Sequence, residues 1–321
     1  MSDATDIALE EKEPERRSFL VDLFIRLVRE KPLGTVGGII VLLLLFTGIF
    51  ANFLAPYGMN EVHPVDYLAP PSAKYLLGAD NLGRDMLSRV IFGARISVIV
   101  GLAAATIAIL IASLIGIPSG FIGGRFDIVM QRFVDGWMCF PPLVLLIAAV
   151  SLVGPGLVQI IIVLGLLYGI GGSRIVRAAV IGIKENVYVD AARAIGCPTT
   201  KMFTRHILPN IMAPLIILFS TQVPTIIITE ATLSFLGLGI PPPEPSWGGM
   251  LSGAGRSYMF LAPWMAIWPG LALSIVVYGI NMFGDALRDL LDPRLRGGIG
   301  RYGVKKVKAA AIKSEPSVAK S

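Results

Sequence analysis

The sequence predicts an all-α, polytopic membrane protein with six transmembrane helices, and three observations carry that prediction. Hydrophobic residues make up 54% of the 321-residue chain and charged residues 16%, against roughly a quarter charged in soluble domains. The missing charge is concentrated, because several stretches long enough to cross a bilayer contain none at all. Lys and Arg gather in alternate loops between those stretches.

Taken in order, the chain opens on a polar segment containing Glu10-Glu11-Lys12-Glu13. No basic region followed by a short apolar core stands there, so the first span is expected to act as an uncleaved signal anchor. Phe19 to Arg29 reads as an amphipathic helix, with Phe19, Leu20, Leu23, Phe24, Leu27 and Val28 on one face and Asp22, Arg26 and Arg29 opposite. That pattern suits a juxtamembrane helix lying on the leaflet before the chain enters the bilayer at Pro32.

The first span is the charge-free run Gly34–Ala55, and the second is Ile96–Pro118. Gly136 to Ser173 is too long for one crossing. Gly154-Pro155-Gly156 divides it into Phe133–Val153 and Leu157–Ser173, since proline removes a donor and glycine favours turns. The fifth span is Asn210–Phe235 and the sixth Pro263–Gly284, with Pro224 and Pro269 inside them as candidate kinks. This gives a tail of residues 1–32, a membrane domain of 33–285 and a C-terminal tail of 286–321.

Six spans place both termini on one side. Under that arrangement 23 of the 28 Lys and Arg residues fall on the terminal side, leaving Lys74, Arg84, Arg89, Arg95 and Arg256 on the other. The positive-inside bias therefore predicts cytoplasmic termini, and the net charge of +6 reflects topology rather than nucleic-acid binding. The external loop of about residues 56–92 has a proline-rich first half. Its second half, Asp80 to Arg95, interleaves Arg84, Arg89 and Arg95 with Leu82, Met86, Leu87 and Ile91 as a short surface helix. A partner protein docks there, or the helix only lies on the interface.

Several function classes fit poorly. The chain has two cysteines and two histidines, too few for a protein-built metal, haem or iron–sulfur centre, and no cofactor is expected. Cys139 lies in an apolar run and Cys197 in a basic loop, contexts that do not suggest a disulfide. No Gly-x-x-x-x-Gly-Lys-Ser/Thr loop is present, so the chain is not expected to hydrolyse ATP by itself. A secondary transporter needs ionisable groups near the bilayer midplane. The deepest candidate, Glu230, is placed by its count from Asn210 near the outer interface. There it reaches headgroups, pairs with Arg256, or lines an outer gate. An intramembrane serine hydrolase needs a base beside its nucleophile, and both His63 and His206 fall in loops.

The most informative segment is the loop of residues 174–209. Glu185 to Pro198 reads as a helix stopped by glycine, since Gly196 suits the left-handed position after a helix end and Pro198 cannot continue it. Thr199 or Thr200 can cap a second short helix reaching Leu208-Pro209-Asn210. Ala191 and Ala192 offer a small surface on which another element can close.

This segment resembles the signature loop of bacterial ABC importer permeases: Glu-Ala-Ala, three residues, Gly, nine residues, Ile, one residue, Leu-Pro. Asp190-Ala191-Ala192, Gly196 and Leu208-Pro209 stand in register, with Asp190 in place of Glu and His206 in place of Ile. Arg205-His206-Ile207-Leu208-Pro209-Asn210 is similar to the peptide-transporter branch. So are Leu77 to Arg95, Glu230 with Leu233 to Gly239, and Gly284-Asp285 through Leu291-Asp292-Pro293-Arg294. The resemblance is to the C-type subunit of dipeptide, oligopeptide or nickel importers.

The resemblance implies an ABC type I importer permease fold in a bacterial inner membrane. It implies as partners a homologous permease subunit, two cytoplasmic ATPase subunits, an extracytoplasmic solute-binding protein and a peptide cargo, with nickel as the alternative cargo. It also implies that Asp190, Ala191, Ala192, Arg193, Gly196, Leu208 and Pro209 couple the membrane domain to the ATPases. Arg84 and Arg89 become candidate contacts for the binding protein, and Glu230 a candidate gate residue.

The topology has a direct test. Single-cysteine labelling in intact cells should leave both termini and residues 174–209 inaccessible to an impermeant reagent. Labelling of position 200 from outside would overturn the arrangement.

Overall fold

The computed structural model describes residues 19–291. The tail before Phe19 and the stretch from residue 292, which contains Asp292-Pro293-Arg294, lie outside the described residues. The helices in chain order are α1 (Phe19–Glu30), α2 (Pro32–Ile49), α3 (Ala51–Leu54), α4 (Met86–Ile122), α5 (Gly124–Met138), α6 (Pro142–Val153) and α7 (Leu157–Lys184). They continue as α8 (Val187–Ala194), α9 (Thr199–Lys201), α10 (Met212–Phe235), α11 (Trp247–Leu251), α12 (Gly253–Tyr258) and α13 (Trp264–Leu291). Among the described residues, extended pairing is limited to one antiparallel bridge between Ala79 and Asp85.

Five helical runs are long and apolar enough to cross a membrane: α2, α4, α7, the run Thr199–Phe235 that ends in α10, and α13. A sixth crossing is obtained when α5 and α6, bent by 86° between Met138 and Pro142, count as one broken span. The spans agree with the sequence reading in order, and in number when the bent pair counts as a crossing; they differ at their ends for identifiable reasons. The third span is not the continuous helix Phe133–Val153. Pro141 and Pro142 follow each other at the break, and two prolines in succession cannot supply the donors a helix needs.

The second span starts ten residues before Ile96. Asp85 caps it, its carboxylate accepting the Ser88 N–H at 2.7 Å, so Met86 to Arg95 forms the first turns of α4 rather than a surface helix. The fourth span runs on to Lys184 instead of ending at Ser173, because Arg174 and Arg177 are paired along its length with Asp135 and Asp127. The sixth runs seven residues past Gly284, and Lys31 meets Asp289 there in an ion pair.

Small residues set how the spans pack. On α4 the series Ala104, Ala108, Ala112, Gly116, Gly120 repeats every four residues and is buried throughout. It lies against Gly165, Gly169, Gly172, Ser173, Val176 and Val180 of α7, all of them buried. A Cβ on Gly116 would sit 2.6 Å from the Ser173 carbonyl oxygen, and one on Gly120 2.8 Å from that of Arg177. Contact positions rise together along both helices, so α4 and α7 run parallel. In hydrocarbon, where apolar burial gives no preference for protein over lipid, this close approach is what holds helices together.

α2 runs antiparallel to α13, with Gly34 against Ala286 and Gly37 against Gly279 and Phe283. It is also antiparallel to α4, where Arg95 donates from Nε to the Gly48 carbonyl at 3.0 Å and closes the end of the first span. These directions put Lys31, Ile122, Lys184 and Asp289 at one end of the bundle, termed here the near end. Residues 55–85 and 236–263 form the far end.

Two glycines separate packing from propensity. Gly116→Ala forces a methyl into backbone and should destabilise the purified protein by about 1–3 kcal/mol. At Gly182, also helical, a Cβ meets nothing within 4 Å, so Gly182→Ala should stabilise by about 0.4–1 kcal/mol. Thermal unfolding in detergent reads both, and a shift of the same sign for the two would refute the packing account.

Candidate functional site

At the near end the segment after α7 builds a small structure of its own. α8 ends in a paired glycine cap: Gly196 at φ 72° donates to the Arg193 carbonyl at 2.9 Å, and the Cys197 N–H reaches the Ala192 carbonyl at 3.1 Å. This satisfies two carbonyls the helix would leave unpaired and turns the chain sharply. Val189 and Ala192 face inward to a buried cluster with Ile117 of α4, Val176 and Val180 of α7, and Met202, Ile207, Ile211 and Leu215 from the following segment.

The outward face of α8 carries Val187 and Tyr188 with Asp190, Ala191 and Ala194, followed by Ile195; Val187 and Ile195 are each 84% exposed. Arg193 stacks over the Phe121 ring at 4.9 Å and lies 3.5 Å from Asp190, which fixes the helix to the end of α4.

Of the seven residues named for this loop, Asp190, Ala191 and Arg193 lie on the exposed side and Gly196 makes the cap. Ala192 does not share their surface, because it is 5% exposed and packs inward. Leu208 packs against the buried cluster, and Pro209 is exposed.

Beyond Pro198 the structure departs from the expected second helix. No threonine caps it; Pro198 itself stands at the cap. α9 passes into a π-helical stretch over Met202–Ile207, then a 3₁₀ turn over Leu208–Ile211, and so into α10 without a break. The wider π turn puts Met202 and Ile207, five residues apart, on one buried face. Pro209 has no N–H to give, and the Asn210 side chain bonds the His206 carbonyl at 2.7 Å. The apolar contact that His206 cannot make comes from its neighbour Ile207, which is fully buried.

The far end holds the other sequence-predicted residues. Asp80 lies in a turn, its Oδ1 accepting the N–H groups of Leu82 and Arg84 at 2.8 and 2.9 Å. Its Oδ2 takes the Arg84 Nε at 2.7 Å and stands 3.6 Å from the Arg89 Nε. Arg89 is 7% exposed, on the second turn of α4, and is not a surface residue. Trp247 and Trp264 clamp this region by donating to the carbonyls of Val90 and Ala79, each at 3.0 Å. Outside the spans, the hydrogen bond from Lys74 holds the Asp66 carboxyl below the usual carboxylate range, with Tyr75 adding to it.

Glu230 is 1% exposed, so it neither reaches headgroups nor, among the described residues, pairs with Arg256. Ser234 donates to its Oε1 at 2.6 Å, and Ser234 Oγ in turn accepts the Ile240 N–H at 3.2 Å. The chain of bonds ties the end of α10 to the loop beyond it. Asp80, the Trp247 and Trp264 clamps and the α5–α6 bend were missed by sequence reasoning. For the bend the signal was the pair Pro141-Pro142; a buried turn aspartate has no such local mark.

Comparison with known proteins bears on both ends. A family model described as binding-protein-dependent transport system inner membrane component matches residues 108–297. A second, the N-terminal TM domain of oligopeptide transport permease C, matches residues 18–71. The di/tripeptide transport system permease protein DppC of Pseudomonas aeruginosa is 40% identical over 270 residues, covering 82% of this chain and 89% of its own. The oligopeptide transport system permease protein OppC of Bacillus subtilis is 39% identical over 268 residues, 84% of this chain and 88% of its own. Among solved structures, an inward-facing MetNI methionine ABC transporter chain superposes with a TM-score of 0.50 at 16% identity, over 64% of this chain and 98% of that one. That likeness is one of fold.

The Asp80 turn can be tested by itself. Asp80→Ala leaves the buried Arg89 and the partly buried Arg84 without their carboxylate and should cost about 3–5 kcal/mol locally. Limited proteolysis within residues 56–85 should accelerate in the variant. An unchanged cleavage rate would show that the ion pairs do not hold the loop.

Proposed function

The chain belongs to the family of binding-protein-dependent transport system inner membrane components, and from that premise we propose that it forms half of the translocation pathway of an ATP-driven importer of di- and oligopeptides. Supporting the peptide cargo are the names of the relatives at 39–40% identity, which cover more than four fifths of the chain. The remaining partners are a homologous permease, two cytoplasmic ATPase subunits and an extracytoplasmic binding protein. Both termini face the cytoplasm, which the charge bias favours. Consistent with this, Lys31 and Asp289 pair at the end of the bundle that also carries α8.

The observation that carries the coupling assignment is the shape of the near-end loop. α8 is a two-turn helix whose buried face is anchored and whose outer face is uncovered, with Val187 and Ile195 each 84% exposed. Exposed apolar residues flanked by Asp190 and Arg193 suit a groove on a soluble partner. From α8 the chain turns once at Gly196 and then runs helically to Phe235. A displacement of α8 as the ATPase dimer closes is therefore delivered to the fifth span. Asp190, Ala191 and Arg193 make the contact, Gly196 sets the exit angle, and Leu208 and Pro209 join the loop to the span. Ala192 holds the helix from behind.

At the far end, Asp80, Arg84 and Arg89 shape the mouth that receives cargo from the binding protein. Glu230 acts one layer below, fixing the loop that follows α10.

Gly196→Asp tests the coupling role. A Cβ there meets nothing within 4 Å, so the substitution does not clash. It costs about 1 kcal/mol for the left-handed backbone and places a carboxylate beside the docking face. The variant should insert normally, lose peptide uptake and co-purify with less ATPase. Normal uptake with normal ATPase association would overturn the assignment.

A further inference from the structure

Arg89 presents a problem in electrostatics. Its side chain is 9% exposed, and its nearest carboxylate oxygen, on Asp80, lies 3.6 Å from Nε. That same oxygen is already held at 2.7 Å by the Arg84 Nε. The Arg89 Nη1 is buried and has no hydrogen-bond partner. Two guanidinium groups thus share one buried carboxylate, and one donor of a charged group is left unsatisfied. A buried charge without full compensation is costly and calls for a specific explanation, of which a ligand that completes it is one.

The surroundings say what that ligand is. Arg89 lines a cavity of about 430 Å³ at the far end, between the Asp80 turn, the end of α10 and the segment 237–255. Arg84 and Glu244 also line it. Glu244 is exposed on the proline loop and pairs with neither arginine. The cavity therefore offers an unfilled cationic donor within and a free carboxylate at its edge. A simple inorganic anion would satisfy the first and be repelled by the second. A short zwitterion satisfies both, and the volume falls in the range of small-molecule sites.

We propose that this cavity is a transient entry site for a short peptide, in which Arg89, supported by Arg84, takes the C-terminal carboxylate and Glu244 takes the free α-amino group. The inference rests on the peptide-importer reading above and adds to it a cargo-binding site in the membrane subunit itself. A guanidinium–carboxylate contact is charge-assisted and directional, so it orients the peptide as it leaves the delivering protein.

The test uses the purified permease–ATPase complex without its binding protein, with dialanine, its C-terminal amide and sodium acetate as probes in a thermal-shift titration. Dialanine should stabilise the complex, with the amide and acetate each at least about tenfold weaker, as loss of one charge-assisted hydrogen bond implies. Arg89→Gln should abolish the preference for the free acid, and Arg89→Lys should keep part of it. Equal shifts with dialanine and its amide in the unmodified complex overturn the proposal, and that comparison needs no variant to fold. Equal shifts with acetate overturn it as well, making the cavity a general anion site, and so does no shift at all. ATPase stimulation by loaded binding protein, measured in parallel, separates the outcomes. If it persists while discrimination is absent, only the entry site fails; if it is absent, the importer reading fails with it.

Discussion

The close contact between α4 and α7 is the constraint on which the rest of the fold depends. Lipid chains are as apolar as leucine, so two helices gain little by burying leucine against each other in a bilayer. Ala104, Ala108, Ala112, Gly116 and Gly120 remove side-chain bulk along one edge of α4 instead, and α7 answers with Gly165, Gly169 and Ser173. The two backbones then approach until dispersion between them is the dominant attraction. Because the helices run parallel, their last turns finish together, and Lys184 donates to the Gly120 carbonyl at 3.0 Å. That joined end is the floor on which α8 and the cluster beneath it rest, with Ile117, Val176 and Val180 supplied by the two helices.

Where the chain leaves regular helix, its polar groups are met from nearby, as a low-dielectric setting requires. The bent third span shows this most clearly. α5 is amphipathic and is strapped to α7 by Asp127 with Arg177 and by Asp135 with Arg174. Ser119 of α4 donates to the same Asp127, and Gln131 donates to Ser119 at 3.0 Å. Three helices therefore meet at one carboxylate next to the turn between α4 and α5. The strap holds α5 across the bundle while α6 departs at 86°. The charges are not strays at a helix end; they tie α5 to α7 and to the end of α4.

The sequence made the spans legible because length without charge is a property of composition and needs no knowledge of neighbours. It also made the Gly196 stop legible, since a glycine followed after one residue by proline restricts the local backbone directly. Positions defined by contact were not legible. Ala191 and Ala192 are identical in type and adjacent, yet one is exposed and the other buried, and only the placement of α8 on α4 decides which. Arg84 and Arg89 looked like a charged surface because their spacing is helical. Arg84 instead precedes the helix, and both turn inward to Asp80, whose role depends on a turn closed by its own backbone acceptors. The register change at Met202–Ile207 lay beyond reading for the same reason: a π turn answers to the cluster it packs on, not to a residue preference.

One continuous helical run joins the Gly196 cap at the near end to the loop that follows α10 at the far end. The helical run Thr199–Phe235 has 37 residues and is roughly 55 Å long at about 1.5 Å per residue. Its near end starts beside the cap at Gly196. Its far end carries Glu230 and Ser234, whose hydrogen bonds hold Ile240 and hence the loop that closes one side of the cavity lined by Arg89. The α4–α7 pair is closely packed through its glycines, with Gly116 and Gly120 against the Ser173 and Arg177 carbonyls. α10 contains no glycine, and the fifth span begins with π and 3₁₀ stretches. Under the coupling proposed above, motion imposed at α8 would pass into α10 rather than into the α4–α7 pair. It would reach the far end as a displacement of the cavity wall relative to Arg89 on α4.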